Sequence, residues 1–350
     1  MHRPLPPFFA ANGHDFMSDA LVHERPQSGW QRSRAGVAHF LTLPGVGPLL
    51  ALLIAMLFFA TQTDKFFTGR NFSLVVQQVI VVGTLAIGQT LIILTAGIDL
   101  SNGMVMALGS VIMASLAVEF GVPPVFAILI GLAITTAFGI LNGSLVALVK
   151  LPPFIVTLGT LNIAYAITRI YRTTTISNLP TTITFLGNTF TLGETAITYG
   201  SVVMLVIYLI AWFILRETSW GRHVYAVGDN PEATRLAGIS TTRLLISVYG
   251  AAGFIYGIAG LLLIARTQVG DPQAGQTANL DSITAVVLGG TSLFGGRGNV
   301  LGTLIGALIV GVFRNGLQLM GIPSMYQVLV TGILVILAVS VDQFSHRGQA

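Results

Sequence analysis

No cysteine occurs in this 350-residue chain, so disulfides, thiolate metal ligands and thiol nucleophiles are all excluded. Charge is nearly as scarce. Asp, Glu, Lys and Arg together make up 9% of residues, against about 25% in a soluble domain. The 6 histidines do not gather: His2, His14, His23 and His39 lie near the start, His223 in a polar stretch and His346 near the end. No Gly-Lys-Ser or Gly-Lys-Thr occurs, so the chain carries no phosphate-binding P-loop of its own. Neither a carboxylate pair nor a metal-spaced His cluster stands out, which argues against an integral-membrane enzyme. No apolar run follows a basic start within about the first 30 residues, so no secretory signal peptide is expected there.

What the chain has in place of charge is apolar length. Hydrophobic residues make up 53% and the mean hydropathy is +0.81. Apolar runs of about 20 residues, each enough to cross about 30 Å of hydrocarbon, recur along the sequence. They predict an all-α polytopic membrane protein with about ten transmembrane helices. The expected segments are 45–62, 74–97, 103–119, 126–149, 154–170, 199–215, 244–265, 282–295, 300–319 and 326–342. Those at 154–170 and 282–295 are short and polar, so a re-entrant course is open for either. Residues 1–42, polar and rich in Pro and Arg, predict a disordered cytoplasmic tail. Residues 43–343 form the expected membrane domain, with a cytoplasmic loop at 221–240, and 344–350 a cytoplasmic tail. The net charge of +4 fits Arg residues marking one side of a membrane better than a nucleic-acid partner. With the N-terminus inside, the loops near Lys150, at 216–243 and near Arg297, and the C-terminus, are all cytoplasmic.

In this orientation the second segment runs outside to inside and the seventh inside to outside. Each opens a set of four, so the two sets have inverted topology. Both contain an acidic residue at a break: Asp99 in ILTAGIDLSNG and Asp281 in TANLDSITAV. Inverted repeats with interrupted helices are a common transporter architecture.

An intramembrane carboxylate is a functional candidate by default. The plainer alternative is that Asp99 or Ser101 caps the helix starting near Gly103, and that Asp281 does the same for its own helix. Arg314 either snorkels outward or makes a structural bond. The pairs Gly139–Gly143, Gly253–Gly257 and Gly302–Gly306 each share a helix face, for packing within the subunit or between subunits. Gly289–Gly302 reads as a tight turn with a cytoplasmic tip.

The polar stretch Gly221–Gly238, GRHVYAVGDNPEATRLAG, carries its own helix signals. Asn230 suits the N-cap, Pro231 the first helical position and Gly238 the position past the end. Between them lie Glu232, Ala233, Thr234, Arg235, Leu236 and Ala237. Such a short helix is unstable alone in water. It is either a connector on its own protein's surface or a docking element for a partner.

The motifs LTAGIDLSNG, GILNGSLVALVKLPPFIVTLGTLNIAYAI, GRHVYAVGDNPEATRLAGI and VVLGGTSLFGGRGNVLGTLIGALIVGVFRNGLQLMGI, in this order, resemble the permease subunits of bacterial ATP-binding-cassette importers for simple sugars, of the ribose/xylose/arabinose type. The resemblance runs from about Phe72 to Val341. It departs at Asn102, where Val is more usual, at Asp229, where Gly is usual, and in YAITRIYRTTTISN after Ala164.

The resemblance implies a vitamin-B12-importer-like permease in the inner membrane, working as a homodimer or heterodimer. It implies an ATP-binding-cassette ATPase below, which would hold the ATP and Mg2+, and a soluble sugar-binding protein above; this chain would need no cofactor. The helix at Pro231–Gly238 would be the coupling helix. Released solute would pass a weakly binding path with candidates Gln89, Asp99, Ser101, Asn102, Asn142, Thr157, Thr160 and Asn162. The rival is a secondary carrier coupled to ions through Asp99, with Arg314 as its partner.

Overall fold

A computed structural model describes residues 46–347. The expected tail at 1–42, the start of the membrane domain at 43–45 and the last residues 348–350 lie outside the described residues.

Ten apolar helices overlap the ten expected segments, nine of them 17 residues or longer. They are α1 (Val46–Gln62), α2 (Gly69–Leu94), α3 (Asn102–Val118), α4 (Pro124–Ala147), α5 (Pro153–Tyr171), α7 (Tyr199–Glu217), α10 (Thr241–Thr267), α11 (Ala278–Leu288), α12 (Val300–Leu319) and α13 (Ser324–Arg347). Short helices α6 (Thr181–Thr184), α8 (Ser219–Asp229) and α9 (Pro231–Leu236) fill the connections. Six of the ten, α2, α4, α5, α7, α10 and α12, are long and apolar enough to cross a membrane. The six include α5, so the expected segment at 154–170 has the length of a full span.

Local chemistry sets the helix ends. Thr68 and Thr198 accept hydrogen bonds from the backbones of Asn71 and Ser201, capping α2 and α7. Pro124 and Pro153 open α4 and α5, where a missing N–H costs nothing.

Three expectations need correction. The segment expected at 282–295 is the 11-residue helix Ala278–Leu288, about 16 Å long and about half the hydrocarbon thickness. It stops because Gly289 and Gly290 follow, the latter with φ of +84°. The last helix continues to Arg347, through part of the tail expected at 344–350. The all-α reading misses an antiparallel hairpin, β1 (Thr189–Leu192) with β2 (Thr195–Thr198). Its sequence TFTL-GE-TAIT puts β-branched residues on both sides of a two-residue turn, and Gly193 supplies the positive φ that turn needs.

The core forms around α2 and α10, which are buried over most of their length and pack on each other. Close approach explains the paired glycines. A Cβ at Gly253 would lie 2.5 Å from the Thr135 carbonyl oxygen, and one at Gly139 would overlap the Tyr249 carbonyl. Gly302 and Gly306 likewise lie against the Gly289 and Ala285 carbonyls. All three pairs therefore serve packing within this chain.

Candidate functional site

Two polar regions interrupt the apolar helices. The first lies between α7 and α10. Thr218 ends α7 and caps α8 by accepting from Gly221 N at 3.2 Å. α8 is amphipathic and buries Gly221, Val224, Val227 and Gly228. The expected polar loop at 221–240 is thus two helices, and the 11-residue α8 escaped the sequence reading because its apolar positions are few.

α9 follows its signals closely. Asn230 Oδ1 accepts from Ala233 N at 2.9 Å, Pro231 takes the first position, and Gly238 has φ of +84°. Gly238 N donates to the Arg235 carbonyl and Ile239 N to that of Thr234, closing the last turn. Arg235 donates to Glu232 Oε1 at 2.6 Å. With Lys150 contributing at longer range, that guanidinium holds the Glu232 carboxyl below its ordinary range. Thr234 turns inward, whereas Leu236 is 75% exposed. Ala233 and Ala237 are also exposed.

The helix that leads into α9, α8, is tied to the interior at close range. Gly228 packs its backbone against the Leu94 carbonyl at the end of α2. Gly296 N donates to that same carbonyl at 3.0 Å. Tyr225 Oη donates to the Gly298 carbonyl at 3.0 Å, and Trp220 Nε1 to Ser247 Oγ at 2.9 Å. The glycine-rich turn after α11 is therefore wedged between α8 and the end of α2.

The second region is the break between α2 and α3. Ala96, with φ of +59°, turns the chain. Asp99 Oδ1 accepts from Ser101 N at 2.7 Å and from Ser101 Oγ at 2.6 Å. Asn142 Nδ2 donates to Ser101 Oγ at 3.1 Å. Asn102 Nδ2 donates to Gln89 Oε1 at 2.9 Å and to Ser282 Oγ at 2.8 Å. With its amide turned over, Gln89 instead donates to the Asp99 carbonyl at 3.0 Å; either orientation ties α2 to the break. Thr157 Oγ1 donates to the Ile98 carbonyl at 3.0 Å. Asn279 Nδ2 donates to the Leu100 carbonyl at 3.1 Å, so the break before α11 meets the break before α3.

The path candidates therefore divide. Gln89, Asp99, Ser101, Asn102, Asn142 and Thr157 converge in one closed cluster, with Asp99 1% exposed. Thr160 is buried but bonds only its own helix, at the Val156 and Thr157 carbonyls. Asn162 stands apart on the exposed face of α5 and donates to the Leu158 carbonyl.

The capping expectations are corrected. Ser101 holds the N-cap position of α3 but makes no side-chain cap, because its hydroxyl is turned to Asp99. Asp281 lies inside the first turn of α11 and takes a hydrogen bond from Arg314 at 2.8 Å. Arg314 is thus bound in a structural pair with Asp281, and it does not pair with Asp99, the partner the carrier reading offered it. Asn315 also bonds inward, to Asn71 on α2, while Gln318 accepts from Gln78 of the same helix at an exposed position. Sequence reasoning missed Ser282 and Asn279, whose only signal was their nearness to Asp281.

Comparisons with known proteins follow this geometry. The family model described as "Branched-chain amino acid transport system / permease component" matches residues 71–339. A fructose import permease protein of Rhizobium meliloti is 47% identical over 317 residues, covering 88% of each chain. A ribose import permease protein of Bacillus subtilis (strain 168) is 40% identical over 301 residues, covering 85% of this chain and 92% of its own. A xylose transport system permease protein of Haemophilus influenzae is 32% identical over 359 residues, covering 85% and 96%. No solved structure matches the chain.

Proposed function

The chain belongs to the family of branched-chain amino acid transport system permease components, and from that membership we propose that it is the membrane-spanning subunit of an importer for a monosaccharide or a similar small polar solute, energised by a separate ATP-binding-cassette ATPase. The family description is broad, and the individual relatives with high identity across nearly the whole chain import sugars. They favour a sugar over an amino acid, and fructose is the first to test.

The observation that carries the coupling role is α9. A helix of six residues holds an exposed leucine off the protein, in a chain that contains no nucleotide-binding loop of its own. Force applied there passes through Gly228 and Gly296 to the end of α2, and through the glycine-rich turn to α11. Closure of the ATPase would push α9 and tilt α7 and α10, switching access by rigid movement.

Ten spans in two inverted halves of the vitamin-B12-importer type, with both termini cytoplasmic in the inner membrane, are part of the same proposal. The meeting of the two breaks at Asn102, Ser282 and Asn279 supports the inverted halves. The buried polar cluster is closed within this chain, which favours a path between two copies, where Asn162 on the exposed face of α5 is free to meet solute. Selectivity then rests mainly on the external binding protein.

Purification from native membranes tests this reading. An ATPase with a Walker motif should co-purify, and the complex in liposomes should take up sugar only with ATP and binding protein. Uptake by this chain alone, driven by an ion gradient, would sink it. Screening the binding protein's thermal stabilisation against a sugar panel identifies the solute.

Asp99→Asn separates the two classes further. An asparagine Oδ1 can still accept from Ser101, so the variant is expected to lose about 1–2 kcal/mol of stability and to keep most of its uptake. Complete loss of uptake with normal expression would mean a charge-dependent step through Asp99.

A further inference from the structure

A cavity of about 440 Å3 opens between α7, α8 and the start of α12, lined by Trp212, Arg216, Arg222, Tyr225 and Asn299 among others. Two guanidinium groups face it, and the nearest acid compensates little. Arg216 Nε meets Glu217 at 3.2 Å with both side chains more than half exposed, a geometry worth little in stability. Arg216 also lies over the Trp212 ring, 5.3 Å from its centroid. Arg222 is exposed and makes no side-chain hydrogen bond or ion pair among the described residues. Asn299 uses its side-chain oxygen to cap α12, leaving its NH2 group as a donor.

An apolar stripe runs along α7 from two of the residues that line this cavity, Trp212 and Arg216. Leu205, Leu209, Trp212 and Arg216 are spaced by four, three and four residues, so they share one face of α7. Leu205 and Leu209 are exposed. A charged pocket at the end of a spanning helix, with an apolar stripe leading from it toward the bilayer, matches an amphiphile with an anionic head. A free anion has no use for the stripe, and a neutral lipid has none for the arginines.

We propose that this cavity binds the headgroup phosphate of an anionic glycerophospholipid, with an acyl chain lying along the outer face of α7. Arg216 and Arg222 supply charge-assisted hydrogen bonds to the phosphate. Trp212 sits at headgroup depth, as aromatic residues do at membrane interfaces. The site borders α8, which leads directly into α9, so the bound lipid would brace the base on which the coupling helix stands. The inference requires the chain to lie in a bilayer and does not depend on which solute it carries.

Native mass spectrometry of the full chain, released from micelles containing phosphatidylglycerol or phosphatidylcholine, tests it. Wild-type protein is expected to retain phosphatidylglycerol at least about fivefold better than phosphatidylcholine. Arg222→Gln removes no bond within the chain, so it should fold normally and lower that preference about fivefold. Arg216→Gln with Arg222→Gln should abolish it, and Arg70→Gln, a distant charge control, should leave it intact. Equal retention of the two lipids by wild type, unchanged preference in Arg222→Gln, or equal loss in Arg70→Gln would overturn the proposal. Displacement of phosphatidylglycerol by excess inorganic phosphate would overturn it as well, assigning the pocket to a soluble anion.

Discussion

Leu236→Asp is expected to abolish ATP-driven uptake while leaving the permease folded and inserted. Leu236 is 75% exposed and buries little against its own chain. Its loss should therefore change stability by no more than about 0.5 kcal/mol. Covered by a partner, the same side chain contributes about 1.5–3 kcal/mol, and an aspartate buried there unpaired costs more. Removing the contact alone weakens docking by about tenfold to 150-fold, and the charge weakens it further. The checks are co-purification of the ATPase, uptake in liposomes and an unchanged melting temperature. Wild-type uptake in Leu236→Asp would remove α9 from the coupling role.

The second large effect is structural. Arg314→Met should leave Asp281, 2% exposed, without its cation. Breaking a buried pair from one side costs about 3–5 kcal/mol. The lower end applies here, because the Arg314 side chain remains 35% exposed and water screens part of the pair. Asp281→Leu combined with Arg314→Met should recover most of that loss, since no uncompensated charge remains. Thermal unfolding of purified protein in one detergent measures both. If Arg314→Met melts like wild type, the pair is not holding α11 to α12.

How far the sequence could be read depended on the range of each interaction. The apolar runs placed the six helices of spanning length, because twenty successive apolar residues need no partner elsewhere to be recognised, whereas Ala278–Leu288 was misplaced. The α9 helix was legible residue by residue: Asn230, Pro231 and Gly238 act through bonds three to five positions away. The hairpin at Thr189–Thr198 was equally local, and its β-branched residues and Gly-Glu turn were passed over in favour of an all-helical pattern. α8 was harder, since its buried face belongs to Leu94 and the glycine-rich turn more than to its own sequence.

The polar residues inside the apolar helices show the other limit. Gln89, Asp99 and Asn142 could be picked out one by one, but capping, ion coupling and a solute path fitted them equally well. Their partners decide, and several links in the network are remote: Asn142 meets Ser101 across 41 positions, Asn102 meets Ser282 across 180 and Arg314 meets Asp281 across 33.

By itself the sequence determined the solvent, the places of the long helices, the absence of a Gly-Lys-Ser or Gly-Lys-Thr phosphate loop and the ends of the short exposed helix. Each follows from composition or from neighbours within a few residues. Only the tertiary structure decided that Asp99 is sealed in a bonded cluster, that Arg314 serves Asp281, and that Leu236 points away from the protein while Gly228 points in. Burial and pairing are properties of surfaces brought together from distant parts of the chain. In a molecule with this little charge, the few polar groups take their meaning from whichever surface closes over them.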